Sequence, residues 1–383
     1  MKFKILSVLV MMSTLMCIGC GQKESGPEYG KIVDNGDGTF TIIDMQERNV
    51  TFRKDANDKV ICLGAGALRY YSYIGDVKDL IAVENIDKEP FKVGLALRPY
   101  YQANKEFFAT LPICGQGGPQ GQSPETELIR SLSPNIIVSF YSDPAVNNKL
   151  QSDLNIPVVA LKQGADGLFD NITLKSFEVL GKVFEKEERA NELINYVNNA
   201  KADLKKLTIA EGTYYAGGVG NWGQVNLFGS QYNFPIFSYA GVNNAVHALK
   251  EYAGMQQITI DAEKLISINP DRIFIDTAGL PNFIKQYKEN PTVFDALKAF
   301  KNKETYILLP FNAYYTNLEI QLMSTYYVAS VSHPNEFANF ALEAKFRDIS
   351  TKFLGKDIYD QMKAHPYGYG GYQKIDISTL INE

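Results

Sequence analysis

The sequence predicts an α/β protein with two lobes, and three observations lead to this class. Apolar segments typical of buried strands alternate with helical segments in both halves of the chain, which is the pattern of parallel sheets. The segment SPETELIRSLSPNIIVSF (123–140) has a counterpart in TIDAEKLISINPDRIFID (259–276), with Glu127 aligned on Glu263. Without its predicted leader the chain keeps roughly 360 residues, which is more than one core usually organises.

The N-terminus has the layout of a secretory signal. Two lysines precede an apolar run that is too short to span a bilayer, and the run leads to Ile18-Gly19-Cys20. These residues resemble the lipobox of bacterial lipoproteins, although Cys17 stands where that pattern usually has Leu. We therefore expect a signal peptide at residues 1–19, a lipid on Cys20 and a polar tether over residues 20–30; an ordinary cleaved signal is the alternative.

Composition excludes some classes of partner. The net charge is −5 and the pI is about 5.5, without a basic stripe, so nucleic acid is not expected to bind.

Cys62 and Cys114 lack the spacing of metal ligands. A buried thiol and a single disulfide both remain open for this pair.

The first lobe is predicted over residues 31–173. It opens with a β-hairpin around Asn35-Gly36-Asp37-Gly38, a strong turn signal between alternating strands. Four buried strands follow, and a helix over 125–132 precedes the third of them; the strands are KVICL (59–63), DLIAVEN (79–85), NIIVSFY (135–141) and IPVVAL (156–161).

A helical segment over residues 174–207 is predicted to link this lobe to a second one over 208–383. The linking segment is rich in good helix formers and has apolar residues at helical spacing, which predicts a helix. The strand pattern then restarts with TYYAGGVG (213–220), PDRIFID (270–276) and TYILLP (305–310). Two α/β lobes joined by one long helix is the simplest arrangement of these elements.

Several longer motifs resemble one family of transport proteins. They are KVICLGAGALRYYSYIGDVKDLIAVEN (59–85), the two E-x6-P-[ND] segments, EERANELI (187–194) and VFDALKAFKNKETYILLPFN (293–312). In them the chain resembles the solute-binding lipoproteins of ABC importers for iron complexes, haem, siderophores and cobalamin. The runs GAGALR, RPY and LPFNAYYTN are most similar to the iron-complex subset.

The resemblance implies the class III periplasmic binding protein architecture, in which two Rossmann-like lobes with mostly parallel sheets are joined by one long rigid α-helix. It also implies an extracytoplasmic monomer, anchored by lipid in the periplasm or on the outer face of the cytoplasmic membrane. The expected partners are an ABC permease dimer with its ATPase and a small-molecule chelate. No intrinsic cofactor is expected, and the bound ligand is expected to be an iron complex.

The repeated glutamates are predicted to dock the protein on the permease. In the family that the chain resembles, one exposed glutamate per lobe, ahead of the P-[ND] turn, fits an arginine pocket of the permease, which implies Glu127 and Glu263 here. Two similar permease subunits need two similar acidic groups on rigid helix starts, and arginine grips carboxylates bidentately. Ordinary first-turn glutamates are the alternative, and Glu125 is a nearby competitor.

The ligand site is expected between the lobes, at the carboxyl ends of the parallel strands. Arginines would grip an anionic chelate, aromatic faces would cover its flat parts, and a tyrosine oxygen is a candidate ligand for ferric iron itself. The residues predicted to bind the ligand are Gly66, Arg69, Arg98, Tyr100, Tyr141, Trp222, Asn312, Tyr314 and Tyr315.

Two other functions fit parts of the sequence. A binder of a bare oxyanion such as molybdate or tungstate, or of a corrinoid, would share the fold. An exported dinucleotide-fold enzyme is suggested by the glycine turn after KVICL and by Glu84, but Arg69 stands where the third glycine is needed. No G-x-S-x-G or HExxH motif is present. We therefore expect a binding protein and not an enzyme.

Overall fold

The computed structural model describes residues 27–88, 97–118, 123–220 and 225–382. The predicted signal peptide, Cys20 and Trp222 lie outside these residues. No helix within the described ranges combines the length and the apolar character that a membrane crossing requires.

The predicted hairpin is confirmed and belongs to a small antiparallel sheet at the start of the chain. Its strands are β1 (Ile32–Asp34), β2 (Phe40–Ile43) and β3 (Asn49–Phe52). Asp34 pairs with Phe40 across the turn. Gly36 and Gly38 have φ of 78° and 84°, a conformation that glycine adopts without steric cost.

The elements of the first lobe are β4 (Val60–Leu63), α1 (Ala67–Ile74), β5 (Leu80–Ala82), α2 (Pro99–Phe108), β6 (Gly115–Gln116), β7 (Ser123–Pro124), α3 (Thr126–Leu132), β8 (Ile136–Ser139), α4 (Pro144–Leu154) and β9 (Val158–Ala160). The four strands predicted for this lobe form one parallel sheet in the order β5-β4-β8-β9.

The linking segment predicted over 174–207 is not one continuous helix. It consists of α5 (Asn171–Val183) and α6 (Glu187–Leu204), which pack against each other. The break lies at residues 184–186, where Glu185 has a left-handed φ of 54°. The helix that leads into the second lobe is therefore α6, whose 18 residues span about 27 Å.

The elements of the second lobe are β10 (Thr213–Gly217), β11 (Gly229–Gln231), α7 (Pro235–Ala240), β12 (Asn243–Asn244), β13 (Gln257–Thr259), α8 (Ala262–Ile268), β14 (Arg272–Asp276), α9 (Leu280–Glu289), α10 (Pro291–Asp295), α11 (Lys298–Lys301), β15 (Thr305–Leu308), α12 (Leu318–Ser332), α13 (Leu342–Leu354), α14 (Tyr359–Ala364), β16 (Gln373–Lys374) and α15 (Ile377–Asn382). The sheet of this lobe has the order β12-β10-β14-β15-β16, and its edge strand β16 is antiparallel to β15 while the other pairs are parallel.

The sequence repeat is also a structural repeat. Helices α3 and α8 each have seven residues and lead into a parallel strand, β8 or β14. Each helix ends in a left-handed residue just before the proline, Ser133 with φ 49° and Asn269 with φ 35°. The two segments therefore hold Glu127 and Glu263 at the same position of the same kind of helix.

The lobes share much of their apolar core. One cluster of buried residues on the inner side of both sheets includes Phe177 of α5, Phe274 of β14 and Leu322 of α12. Two smaller clusters cover the outer side of the sheets, one in each lobe. The two sheets are thus separate, but the surface that joins the lobes is large and apolar, which opposes free rotation of one against the other.

Candidate ligand-binding site

A cavity of about 440 Å³ lies between the lobes, where both parallel sheets end. The first lobe contributes the loops after β4 and β9, and the second contributes the ends of β11, the approach to β13 and the loop after β15. The described residues that line it are Ala65, Gln163, Gly164, Ala165, Gly167, Gln231, Gln256, Phe311, Asn312, Tyr315 and Thr316.

Two of the residues predicted to bind the ligand, Asn312 and Tyr315, line this cavity. Gly66, a third, lies directly behind Tyr315 with a φ of 102°, and a Cβ built on it would be 3.4 Å from the Tyr315 ring. The left-handed φ favours glycine at this position, whereas a Cβ at that distance would only be in ordinary van der Waals contact with the ring. Ligand binding by these residues stays a prediction.

Tyr315 is the aromatic group at the mouth of the cavity. Its side chain is 39 % exposed, and its ring meets Phe140 edge-on at a centroid distance of 5.5 Å. Tyr314 and Tyr315 have φ of 50° and 78°, and each left-handed non-glycine residue costs about 1–2 kcal/mol. Such backbone strain persists only where surrounding contacts enforce it.

Arg69 supplies one of those contacts and does not line the cavity. Its guanidinium is fully buried, with Nη1 donating to the Tyr314 carbonyl at 2.9 Å and Nη2 donating to the Ala313 carbonyl at 2.6 Å and to Asn317 Oδ1 at 3.0 Å. The expectation that Arg69 grips an anionic ligand is corrected: its donors are directed at the loop after β15. A residue of the first lobe thereby fixes the loop of the second lobe that carries Tyr315.

Arg98 and Tyr100 are likewise committed to the interior. Arg98 Nη1 and the Tyr100 hydroxyl both donate to Asp87 Oδ1 at 2.7 Å, and Arg98 Nη2 donates to the Ile86 carbonyl. All three side chains are at most 4 % exposed. Together with Asp87, these two residues form a buried cluster in which the positive and negative charges balance. They do not reach the cavity, contrary to the expectation from their loop sequence.

Tyr314 and Tyr141 also point into the protein. The Tyr314 hydroxyl donates to Glu84 Oε2 at 2.7 Å, and Glu84 Oε1 accepts the Gly64 N–H at 3.1 Å. Tyr141 packs its ring against Gly64, and burial raises the pKa of its hydroxyl. Glu84 thus joins two loops of the protein, which leaves it unavailable for the ribose contact that the dinucleotide alternative requires.

Buried carboxyl groups hold the loop after β15 from both lobes. Burial raises the pKa of Glu84 from 4.5 to about 7. Asp276, at the end of β14, accepts the Phe311 and Ala278 N–H groups at 2.8 Å, and burial raises its pKa to about 7. The loop that carries Asn312 and Tyr315 is therefore fixed by Arg69, Glu84 and Asp276 together.

Most of the polar residues that line the cavity were not predicted from the sequence. Gln163 follows the fourth predicted strand, so the rule that ligands bind at the carboxyl ends of parallel strands would have found it. Gln231 is the last residue of the three-residue strand β11 and Gln256 directly precedes β13, and neither segment carries a sequence motif. Trp222, which was predicted to bind the ligand, lies outside the described residues.

The described residues contain neither a disulfide nor a cluster of metal ligands. Cys62 and Cys114 are both buried free thiols, which decides between the two alternatives for this pair. Burial raises the pKa of both thiols. No group of three or more His, Cys, Asp or Glu side chains in the described ranges is arranged to hold a metal ion.

The proposed docking residues lie on the surface. Glu127 is 86 % exposed and forms an ion pair with Arg130 at 2.6 Å, and Glu263 is exposed at the second position of α8. Their position in the first turn places each carboxylate at the positive end of its helix.

Comparison with known proteins identifies the class. Residues 70–310 match the family model described as periplasmic binding protein, so the chain belongs to this family. Members of the family are extracytoplasmic, deliver their ligands to an ABC permease and ATPase, and are not enzymes. Their bound substrates are transported ligands and not cofactors. A search of curated proteins finds no significant match.

Solved structures share the fold at low sequence identity. A periplasmic solute-binding protein from Veillonella parvula has a TM-score of 0.65 and 17 % identity, covering 84 % of this chain and 95 % of that one. The molybdate periplasmic binding protein MolA of Haemophilus influenzae, bound to molybdate, gives 0.61 and 18 %, with coverage of 83 % and 98 %. The TroA-like periplasmic binding protein FepB of Veillonella parvula gives 0.60 and 20 %, with coverage of 83 % and 97 %.

The raised pKa of Glu84 predicts how stability depends on pH. Because the folded protein holds this proton more tightly than the unfolded chain, the contribution is present below about pH 4.5 and is lost as the pH rises through about 7. Glu84→Gln should remove that loss, so the variant gains up to about 3 kcal/mol relative to wild type between pH 4.5 and 7.5. Urea denaturation across this range measures the difference.

Asp276 titrates in the same window, so Glu84→Gln should flatten the pH slope without abolishing it, and Asp276→Asn serves as the matched variant. Identical pH slopes in wild type and Glu84→Gln would contradict the prediction.

Proposed function

We propose that the protein is a lipid-anchored solute-binding protein of an ABC importer that captures an iron complex between its lobes and delivers it to the permease. The observation that carries the proposal is the 440 Å³ cavity built from strand-end loops of both lobes. Cavities of about 300–1,000 Å³ hold ligands the size of a small organic molecule. A siderophore- or haem-like chelate suits such a volume better than a single tetrahedral oxyanion does.

The cavity wall is polar but uncharged, which supports a cargo in which the chelator's own groups already balance the charge of the metal. The described wall combines carboxamide and hydroxyl groups with the rings of Phe311 and Tyr315 and with small residues, and it contains no charged side chain. Arg69 and Arg98 are committed elsewhere. Burial raises the pKa of the Tyr315 hydroxyl, which disfavours the tyrosinate form that would bind ferric iron directly. The aromatic ring is therefore assigned to cover the organic part of the cargo.

Membrane attachment and docking complete the proposal. A lipid on Cys20 would hold the protein at the membrane that contains its permease. The exposed carboxylates of Glu127 and Glu263 lie in the first turn of two matching helices, as two matching permease subunits require. Such rigid acidic positions fit arginine pockets on the permease.

Binding of candidate cargoes tests the ligand class directly. Native mass spectrometry and titration with ferric trihydroxamate, ferric catecholate, haem, a corrinoid and molybdate should give binding of an iron complex. Tyr315→Ala should weaken that binding about tenfold because an aromatic contact is lost. Phe340→Ala is the control, because Phe340 is 40 % exposed but packs against Tyr326, away from the cavity lining. Binding of molybdate alone would favour the oxyanion alternative and refute the iron complex.

The docking role is tested by charge reversal. The double variant Glu127→Lys/Glu263→Lys should abolish uptake of the cargo in whole cells while its affinity for the cargo stays unchanged, because both residues lie outside the cavity. Glu125→Lys is the matched control, since Glu125 is exposed beside Glu127. Normal uptake by the double variant, or uptake lost only in the control, would refute these residues as the docking pair.

A further inference from the structure

A continuous chain of hydrogen bonds crosses the cavity floor from one lobe to the other. The Tyr70 hydroxyl donates to Gln163 Oε1, and Gln163 Nε2 donates to Thr316 Oγ1, both at 3.1 Å. Thr316 donates in turn to Asn312 Oδ1 at 2.9 Å, and Asn312 Nδ2 donates to the Gly220 carbonyl at 3.3 Å. Each bond polarises the next because all donors point the same way along the chain.

These hydrogen bonds determine which polar groups of the cavity floor are available to a ligand. The bonds of Gln163, Thr316 and Asn312 to one another join the lobes, and a ligand that used those groups would have to break the chain. These residues shape the cavity but are poor candidates for recognition.

The Gln231 side chain is not part of this hydrogen-bond network. It lines the cavity at the end of β11 and is only 3 % exposed. Its carbonyl oxygen Oε1 is enclosed and has no hydrogen-bond partner among the described residues. A buried amide oxygen left unpaired in this way costs free energy, and a bound ligand can recover it when the carboxamide turns this oxygen toward the cavity.

We propose that the Gln231 carboxamide is the recognition group of the cavity, and that the cargo is a chelate carrying an amide group on its organic scaffold. The inference rests on the proposed function and narrows its substrate class. A primary carboxamide offers one acceptor and two donors on the same planar group, so a cargo amide pairs with both kinds of site at once.

The same group discriminates between the candidate cargoes. A molybdate-type oxyanion presents acceptors only, so it satisfies the N–H groups of Gln231 and leaves Oε1 unpaired. An amide-bearing chelate satisfies both, while Tyr315 covers its apolar side at the mouth of the cavity. Selection against oxyanions would therefore be set by one side chain of the second lobe.

Affinities for four probes test the proposal by calorimetry: a ferric trihydroxamate with amide linkers, its analogue with N-methylated amides, haem and molybdate. Wild type is compared with Gln231→Met, which keeps the side-chain length but removes hydrogen bonding, and with Gln231→Leu. The control is Gln286→Met in α9, which lies outside the cavity lining and whose Oε1 is likewise unpaired among the described residues. Because Gln231 has an unpaired carbonyl oxygen, both of its variants should fold, and thermal unfolding verifies this.

Both Gln231 variants should bind the amide-linked chelate at least about tenfold more weakly than wild type, and Gln286→Met should bind it normally. N-methylation should weaken binding to wild type about tenfold and have little further effect in the variants. If a variant unfolds, the comparison of the two chelates on wild type still decides the role of the cargo amide.

Four results would overturn the inference. Binding of the amide-linked chelate that is unchanged by Gln231→Met would refute the recognition role while the proposed function stands, and binding of haem in preference to that chelate would refute the amide-bearing cargo. Binding of molybdate that depends on Gln231 would refute the selection against oxyanions. A protein that binds none of the iron-containing probes would refute the proposed function itself, and the inference with it.

Discussion

The binding cavity depends on one buried side chain, the Arg69 guanidinium. It is held in the first lobe by α1, lies 4.9 Å from the Tyr100 ring and donates to two carbonyls and one amide of the loop after β15. A buried cation is tolerated only where such partners replace its water, and removal of one partner of a buried charge typically costs about 3–5 kcal/mol. The loop that shapes the cavity is therefore fixed to the opposite lobe.

That constraint bears directly on the cargo recognition that we propose. The left-handed Tyr314 and Tyr315 are strained, and contacts from both lobes hold them in place: Arg69 and Glu84 from the first lobe, Asp276 from the second. The shared apolar core further limits independent movement of the lobes. We infer a largely pre-formed cavity whose specificity is set by the groups on its wall, with modest lobe movement on binding.

Most of the fold could be predicted because strand periodicity and turn chemistry are local properties. The four strands of the first sheet, the hairpin and the repeat around Glu127 and Glu263 all follow from short patterns. The direction of the Arg69 side chain could not be predicted, because its partners lie about 245 residues further along the chain. The break at Glu185 was missed because no glycine marks it, and Gln231 was missed because its proposed role depends on the unpaired state of its buried amide.

A crystal structure of the protein loaded with its cargo tests the central claim most directly. We expect the cargo between the lobes, in contact with Tyr315 and Gln231, with the Arg69 bonds to the Ala313 and Tyr314 carbonyls intact. A cargo bound elsewhere, or a loaded structure in which Arg69 has released the loop and the lobes have rotated apart, would contradict a pre-formed cavity held by Arg69.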